Sequence, residues 1–446
     1  MTDGGNAGHG ASNAGQRGLG VVATAAIGIG GMVGGGIFAV LGTAVGLAGA
    51  ATPVAFAIAG LVAILTAYSY ARLAVHYPSA GGTVVFLDKA FGIDYVTGVL
   101  NLVLWTGYLV TIALYASAFG VYGARLVGVG SGGGSSSTTI SVLVTLAIAL
   151  PTLINILDAT MVSRFETAIV VLKLALLAVV VVAGAFAVDG ARLDPSHWPG
   201  PTSLITGGMV IFVAYEGFEL MANAASDVED PKRTLPRAFF GSVLFVVVLY
   251  ILVSIVTVGS VAPEEIQRAK DYALAAAARP SLGATGFTMV AVSALLATFS
   301  AINATIYGNA RLGFSLAKDG ELPKLLARRT WSRPIVGVVM TAVLSLVLAL
   351  SVDIESIAIL GSAGFLLVFT AVNLAALRMS KTIGAKRSVT SIAALACLAS
   401  LVALLVHAGR DNPNALLIEG AVLCAILLFE AIYPRLRGRT FDALAE

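Results

Sequence analysis

Residues 28–38 read GIGGMVGGGIF, six glycines among eleven residues, within an apolar run that extends from 19 to 47. Each glycine inside a helix costs roughly 0.5–1 kcal/mol relative to alanine. The triplet Gly34, Gly35 and Gly36 therefore predicts that a helix otherwise long enough to cross a bilayer unwinds locally. A second apolar run is interrupted in a similar way: GGMVIFVAYEGFELMANAA (207–225) places Glu216, Gly217 and Glu219 at mid-membrane depth. Non-helical backbone survives there only where protein buries it or where it lines a cavity. Interrupted spans in corresponding positions of two halves point to a transporter's binding site, and these two are spans one and six, the first of each five-span repeat. Close helix packing through small residues is the alternative reading of the glycine run. The string GGMV at 30–33 recurs at 207–210, but its offset from each break differs, so it carries no repeat signal.

The composition sets the solvent. Charged residues make up 11% of the 446 and hydrophobic residues 58%, with a mean hydropathy of +0.94. Soluble domains carry about 25% charge, and a surface this poor in charge does not stay in water. The predicted class is all-α integral membrane protein, which excludes a disulfide scaffold, a disordered chain and a soluble multidomain enzyme. A net charge of +3 is too small to argue for nucleic acid. Cys397 and Cys424 both lie in apolar stretches, and His9, His76, His197 and His407 are scattered, so no metal cluster is expected. Twelve stretches meet the length of about 20 apolar residues that a span needs: 19–47, 53–75, 95–127, 140–156, 165–188, 204–225, 238–261, 287–316, 334–352, 354–377, 388–407 and 415–433. The fourth is short, and the turn between the ninth and tenth is tight. With the N-terminus inside, 20 Lys and Arg residues fall on the inner side and 6 on the outer. That bias predicts that both termini are cytoplasmic. The polar, Gly-rich residues 1–18 and the stretch 434–446 read as cytoplasmic tails, and SGGGSSSTT (131–139) as an outer linker. Trp105, Trp198 and Trp331 read as interface anchors.

Charges inside spans are expensive and therefore informative. Lys173 sits in ETAIVVLKLALLAVVVV (166–182), and an ammonium at a helix centre costs at least about 2.5 kcal/mol by insertion scales. Snorkelling to the interface is the alternative, weakened because Arg164 and Glu166 already mark the inner end two turns earlier. A desolvated amine is a poor host for its charge, so Lys173 is a candidate to take up and release a proton. Glu216 and Glu219 lie three residues apart and would share a face of a continuous helix. A break near Gly217 would let them diverge. Glu219 is a candidate for a proton or gate role, with packing polarity as the alternative.

Four further strings carry a resemblance. NAASDVEDPKRTLPRA (223–238) resembles the loop after the sixth helix of the amino acid–polyamine–organocation (APC) superfamily, and NATIYGNARLGFSLAKDGELPKLLARR (303–329) its eighth helix and following loop. GGGIF (34–38) resembles its first-helix break, and YPSAGGTVVFLDKAFG (77–92) the start of its third helix. The similarity runs over about 17–441, and Lys173 in the fifth span narrows it to the archaeal, proton-coupled, broad-specificity branch. The resemblance implies a LeuT-type fold of 12 transmembrane helices: a first repeat over 19–188, an inverted second repeat over 204–377, and two peripheral helices over 388–433. It implies an amino acid whose α-carboxylate meets the amides of Gly34, Gly35, Gly36 and Ile37. A half-helix N-terminus favours an anion, so this agrees with the bottom-up reading. It further implies an α-ammonium held by carbonyls of Met32, Val33, Phe212, Val213 and Glu216, with Tyr215 and Phe212 as cavity-wall aromatics. Lys173 would reach between spans one and eight toward the Gly30 carbonyl and Thr298 or Ser300. Tyr108, Asn303 and Ser362 are candidates for the side-chain pocket. Two departures stand out. The first break holds only glycine, where relatives often place Ser or Ala, and Arg72 stands where many carry an acid. Glu216 inside the site segment bears on substrate preference.

The expected function is a secondary active transporter in the cell membrane, importing an amino acid with a proton by alternating access, without sodium, metal or other cofactor. Its partners would be a small-molecule amino acid and the lipid bilayer, with no nucleic acid and no obligate protein partner. An amino acid or amine exchanger of the same fold is the alternative. A channel lacks a filter-like string or acidic ring, a transport-dead sensor usually carries a signalling extension, and an enzyme lacks any Ser/His/Asp or metal constellation. The turns DVEDPKRTLPR (227–237), with Pro236 at a helix start, and AKDGELP (317–323) read as structural. The outer stretch 263–280 reads as short helices that lid the vestibule.

Overall fold

A computed structural model describes residues 18–128, 137–157, 159–327 and 335–436, with the side chains of 159–167, 263, 264, 267 and 434–436 left aside. Most of each predicted tail, most of the outer linker, Trp331, and the Arg164 and Glu166 side chains fall outside the described parts. The chain is helical nearly throughout, and its one β contact among the described residues is an isolated bridge between Leu19 and Val228.

The first predicted span is two helices, α1 (Val21–Met32) and α2 (Gly36–Ala48), followed by α3 (Thr52–His76), a short inner helix α4 (Thr83–Phe91), α5 (Tyr95–Leu126), α6 (Ser137–Leu157) and α7 (Ala159–Ala185). The sixth span is likewise split into α8 (Pro201–Val210) and α9 (Leu220–Asn223). Then come α10 (Pro231–Ser260), the outer helices α11 (Pro263–Arg268) and α12 (Ala273–Ala277), α13 (Arg279–Lys318), α14 (Ile335–Ser351), α15 (Ile354–Arg378), α16 (Arg387–Asp411) and α17 (Pro413–Leu436). Ten helical runs among the described residues are long and apolar enough to cross a membrane, one of them spanning Gly36–His76. The first half-helix and α14 are shorter apolar helices.

Burial separates scaffold from periphery. In α5, 89% of the apolar window is buried, against 11% for the last helix. Leu395 and Leu417 on the last two helices, and Val182 on α7, are exposed, as lipid-facing side chains must be where lipid is the solvent. The start of α5 is fixed by a capping box in which Asp94 accepts from the Thr97 amide at 3.0 Å. The tight turn into α15 closes because Asp353 accepts from the Ser356 amide at 3.0 Å. Two sequence expectations need correction. Helix α10 begins at Pro231, so Pro236 lies inside it rather than at its start; the earlier proline takes the first-turn position, where a missing N–H is harmless. Trp105 is no interface anchor: it is buried, with its indole against Gly313 of α13.

The outer stretch docks on α2. Gly42 lies so close to the Lys270 carbonyl that no Cβ would fit between them. The turn Lys270–Tyr272 is held laterally by an ion pair from Lys270 to Glu355 at the start of α15. The Arg125 guanidinium at the end of α5 stands 4.4 Å above the Tyr272 ring. Between these cations Asp271 is half-buried, and burial pushes its carboxyl above the ordinary aspartate range, while Lys270 and Arg125 pull it back. A carboxyl raised in the folded state is tolerated best when protonated. Its contribution to stability is therefore fullest below the unfolded value and falls as pH rises through the folded one. Asp271→Asn is accordingly expected to unfold at a higher temperature than the parent at pH 7, and the gap should close as the pH is lowered toward 4. Thermal unfolding of the detergent-purified protein across that range measures it.

Candidate functional site

The two breaks cross at the centre of the bundle. Helix α1 ends at Met32, and the Gly34 amide turns back onto the Gly31 carbonyl at 3.2 Å. The ladder of α2 starts with the Ala39 amide on the Gly35 carbonyl at 3.0 Å. The amides of Gly36, Ile37 and Phe38 thus open the helix without an intrahelical partner, as first-turn amides do. Of the amides assigned to a carboxylate from the resemblance, Gly34 is therefore spent on its own turn. In span six, α8 tightens into a 3₁₀ turn over Ile211–Tyr215, Glu216 is extended, and Gly217 takes φ of 113°. Only glycine adopts that angle without strain. Glycine is also required by contact, since a Cβ on Gly217 would stand 2.5 Å from the Gly31 carbonyl carbon. The last turn of α1 and the unwound chain of span six touch backbone to backbone.

Unwinding leaves polar backbone in a dry interior, and side chains from distant helices take it up. The Tyr250 hydroxyl on α10 lies 2.7 Å from the Met32 carbonyl and 3.2 Å from the Ala214 carbonyl, so one donor joins both breaks. Ser362 on α15 accepts from the Val213 amide at 3.0 Å and donates to the Val210 carbonyl at 2.9 Å. Among the carbonyls that the resemblance assigns to an ammonium, Met32 thus meets Tyr250, and Val213 accepts from the Glu216 amide at 3.2 Å. Tyr215 donates to the Phe56 carbonyl at 2.8 Å, with its ring 5.2 Å from that of Tyr250. Phe212 points instead toward Phe369, ring centroids 6.0 Å apart. It joins a fully buried cluster with Tyr70, Phe218 and Phe239 that fills the space toward the predicted inner side.

Lys173 is fully buried and donates to the Gly30 carbonyl at 3.1 Å, just before the first break. Thr298 on α13 is within hydrogen-bond distance of carbonyls in its own helix, and its methyl group lies beside Gly35; Ser300 is buried on the same helix. Glu216 accepts from Thr111 and Tyr115, and Glu219 from Tyr108 and the Gly217 amide. The three pocket candidates separate. Tyr108 reaches Glu219, Ser362 splints the backbone, and Asn303 accepts from Asn155 of α6 at 2.8 Å, a link between helices. Tyr250, Thr111 and Tyr115 are missing from the sequence reading. A tyrosine or threonine in an apolar span carries no local signal of the backbone or acid it will meet.

A family model described as amino acid permease matches residues 19–426. The chain is 35% identical over 421 residues to the inner membrane transport protein YbaT of Escherichia coli, covering 93% of this chain and 96% of that one. It is 32% identical over 415 residues to an uncharacterized protein of Methanocaldococcus jannaschii, covering 93% and 94%. It is also 28% identical over 332 residues to cationic amino acid transporter 9, chloroplastic, of Arabidopsis thaliana, covering 70% and 57%.

Removing the Ser362 hydroxyl would strand the Val213 amide and the Val210 carbonyl in a buried position, and an unsatisfied buried group costs about 1–3 kcal/mol. Ser362→Ala is expected to lower the thermal unfolding midpoint, and Gly217→Ala to lower it further, since that change adds strain and a clash with Gly31. Unfolding curves of the two variants, recorded with the parent, check the order.

Proposed function

Because the chain belongs to the amino acid permease family, a multi-pass membrane transporter family that fits the LeuT-type fold, we propose that this protein imports amino acids together with a proton by alternating access. The substrate is a small molecule and the surroundings are the bilayer. The proposed setting is the cell membrane with both termini cytoplasmic, supported by the 20-to-6 bias of Lys and Arg. The α-carboxylate sits on the amides opening α2, where the helix dipole and free N–H groups favour an anion. The α-ammonium is received by carbonyls around the two breaks. The proton is the only coupling ion, and neither sodium nor another cofactor enters. Nearest in kind is the archaeal, proton-coupled, broad-specificity branch of the superfamily.

The observation that carries the coupling is Lys173, fully buried with its amine 3.1 Å from the Gly30 carbonyl. A protonated amine makes a charge-assisted bond, about twice as strong as a neutral one, and so ties α7 to α1 beside the first break. Loss of the proton weakens that tie and frees α1 to move. Proton occupancy thereby biases which side of the site is closed, which is the differential interaction a conformational shift needs.

In empty proteoliposomes with the outside acidic, the parent is expected to accumulate amino acid, and Lys173→Ala to fall to the level seen without a gradient while still exchanging substrate against a preloaded interior. Undiminished gradient-driven accumulation by the variant would sink the role of Lys173. Uptake by the parent only into preloaded vesicles would favour the exchanger.

A further inference from the structure

Helix α5 presents three hydroxyls along one face to the break in span six. Tyr108 donates to Glu219 Oε1 at 3.3 Å, Thr111 to Glu216 Oε2 at 3.3 Å, and Tyr115 to the same oxygen at 3.4 Å. Glu219 is also anchored by the Gly217 amide, 2.8 Å from Oε2. Both carboxyls are buried, Glu216 3% and Glu219 0% exposed, and they lie three residues apart facing the same face of α5. Two ionised carboxylates buried side by side without a cation repel, which favours a proton on one of them. Among the described residues neither carboxyl forms an ion pair with Lys, Arg or His. The other titratable groups facing them are Tyr70 on α3, toward Glu219, and Tyr250 on α10, toward Glu216. Lys173 on α7 donates to the Gly30 carbonyl. None of these tyrosines supplies positive charge.

The position of Glu216 relative to the amides of α2 gives this arrangement a direction. The Tyr115 ring packs on Gly34 and Gly35, where an added Cβ would clash, and its hydroxyl ends at Glu216. One phenol therefore spans the distance from the glycine break to the acid. A carboxylate resting on the opening of α2 would thus have Glu216 about one phenol's length away.

We propose that Glu216 is a specificity-determining residue that admits amino acids with a cationic side chain, with Glu219 as the residue that positions it. The inference rests on the reading that amino acids bind between the two breaks. Empty, the pair holds one proton and one negative charge. When a side-chain ammonium or guanidinium docks, the O–H bond of the protonated carboxyl breaks and its proton leaves to water on the open side. Both carboxylates then accept from the guest. The loaded site again carries one net negative charge, so no extra charge is buried. A neutral amino acid leaves the proton in place.

The test is binding of lysine and of leucine to the purified full-length protein between pH 5 and 8, by calorimetry in buffers of different ionisation enthalpy. The parent is expected to release about one more proton with lysine than with leucine, and its lysine affinity to rise with pH by up to tenfold per unit, the limit for one exchanged proton. Glu216→Gln is expected to lower the lysine-to-leucine affinity ratio at least tenfold and to flatten the pH slope for lysine. Leucine binding in the parent without lysine binding, or without the additional proton release, overturns this role of Glu216 and leaves the transport reading standing. Failure of both amino acids to bind the parent overturns both. The proton count needs only the parent, so the proposal stays exposed even if the variant does not fold.

Discussion

Everything at the centre of this protein depends on supplying hydrogen bonds to backbone that has been taken out of its helices in a place without water. The last turn of α1 and the unwound chain of span six meet at Gly31 and Gly217 with no side chain between them. In lipid each orphaned amide or carbonyl carries a penalty of several kcal/mol, so a break survives only if other elements satisfy it. Tyr250 serves carbonyls at both breaks, and Ser362 serves an amide and a carbonyl of the second. The scaffold helices α10 and α15 are thus held to the broken ones by the groups the breaks expose. Among the described residues the amides opening α2 have no intrahelical acceptor, and it is there that the proposed carboxylate would bind.

The same dryness governs the buried charges. An amine and two acids are placed around the crossing: Lys173 donates to the Gly30 carbonyl, Glu216 accepts from two hydroxyls, and Glu219 accepts from a hydroxyl and an amide. Among the described residues the two acids form no ion pair with Lys, Arg or His, so they respond strongly to the arrival of a proton or a guest ion. A paired, fully neutralised cluster would be a staple. This arrangement suits binding and release.

Two closures bound the site. On the outer side the Lys270–Tyr272 turn rests on α2 and is tied to α5 and α15 by charged contacts. On the predicted inner side the aromatic cluster around Tyr70 and Phe369 packs beside the breaks, while the amide of Leu19 and the carbonyl of Asp227, 2.8 Å apart, tie the start of α1 to the loop after α9. The first combines charged contacts with a buried apolar cluster that includes Val45, Val258 and Ile266, and the second is aromatic with two backbone bonds, from the Leu19 amide to the Asp227 carbonyl and from the Glu229 amide to the Leu19 carbonyl. Helix α9 has only four residues, so the inner half of span six carries little helical stability of its own and depends on that packing.

The membrane class, the positions of both breaks and the presence of a lone amine in span five were legible in the chain, because each is a one-dimensional signal: hydropathy sets the solvent, glycine runs weaken helices locally, and a charge in an apolar run stands out. The family strings added the order of the spans. Which groups answer the breaks was not legible. Tyr250 and Met32 lie 218 residues apart, and nothing near either predicts the pairing. Ser362 reads as a pocket residue until the packing turns it onto the backbone, and Asn303 reads likewise until it meets Asn155. Trp105 looks like an interface anchor and is buried, because α13 offers a glycine for its ring to lie on. A sequence specifies where backbone must leave the helix. Only the packing of helices far apart in the chain decides which side chain arrives to satisfy it, because that depends on rotation and crossing point, neither of which has a local code.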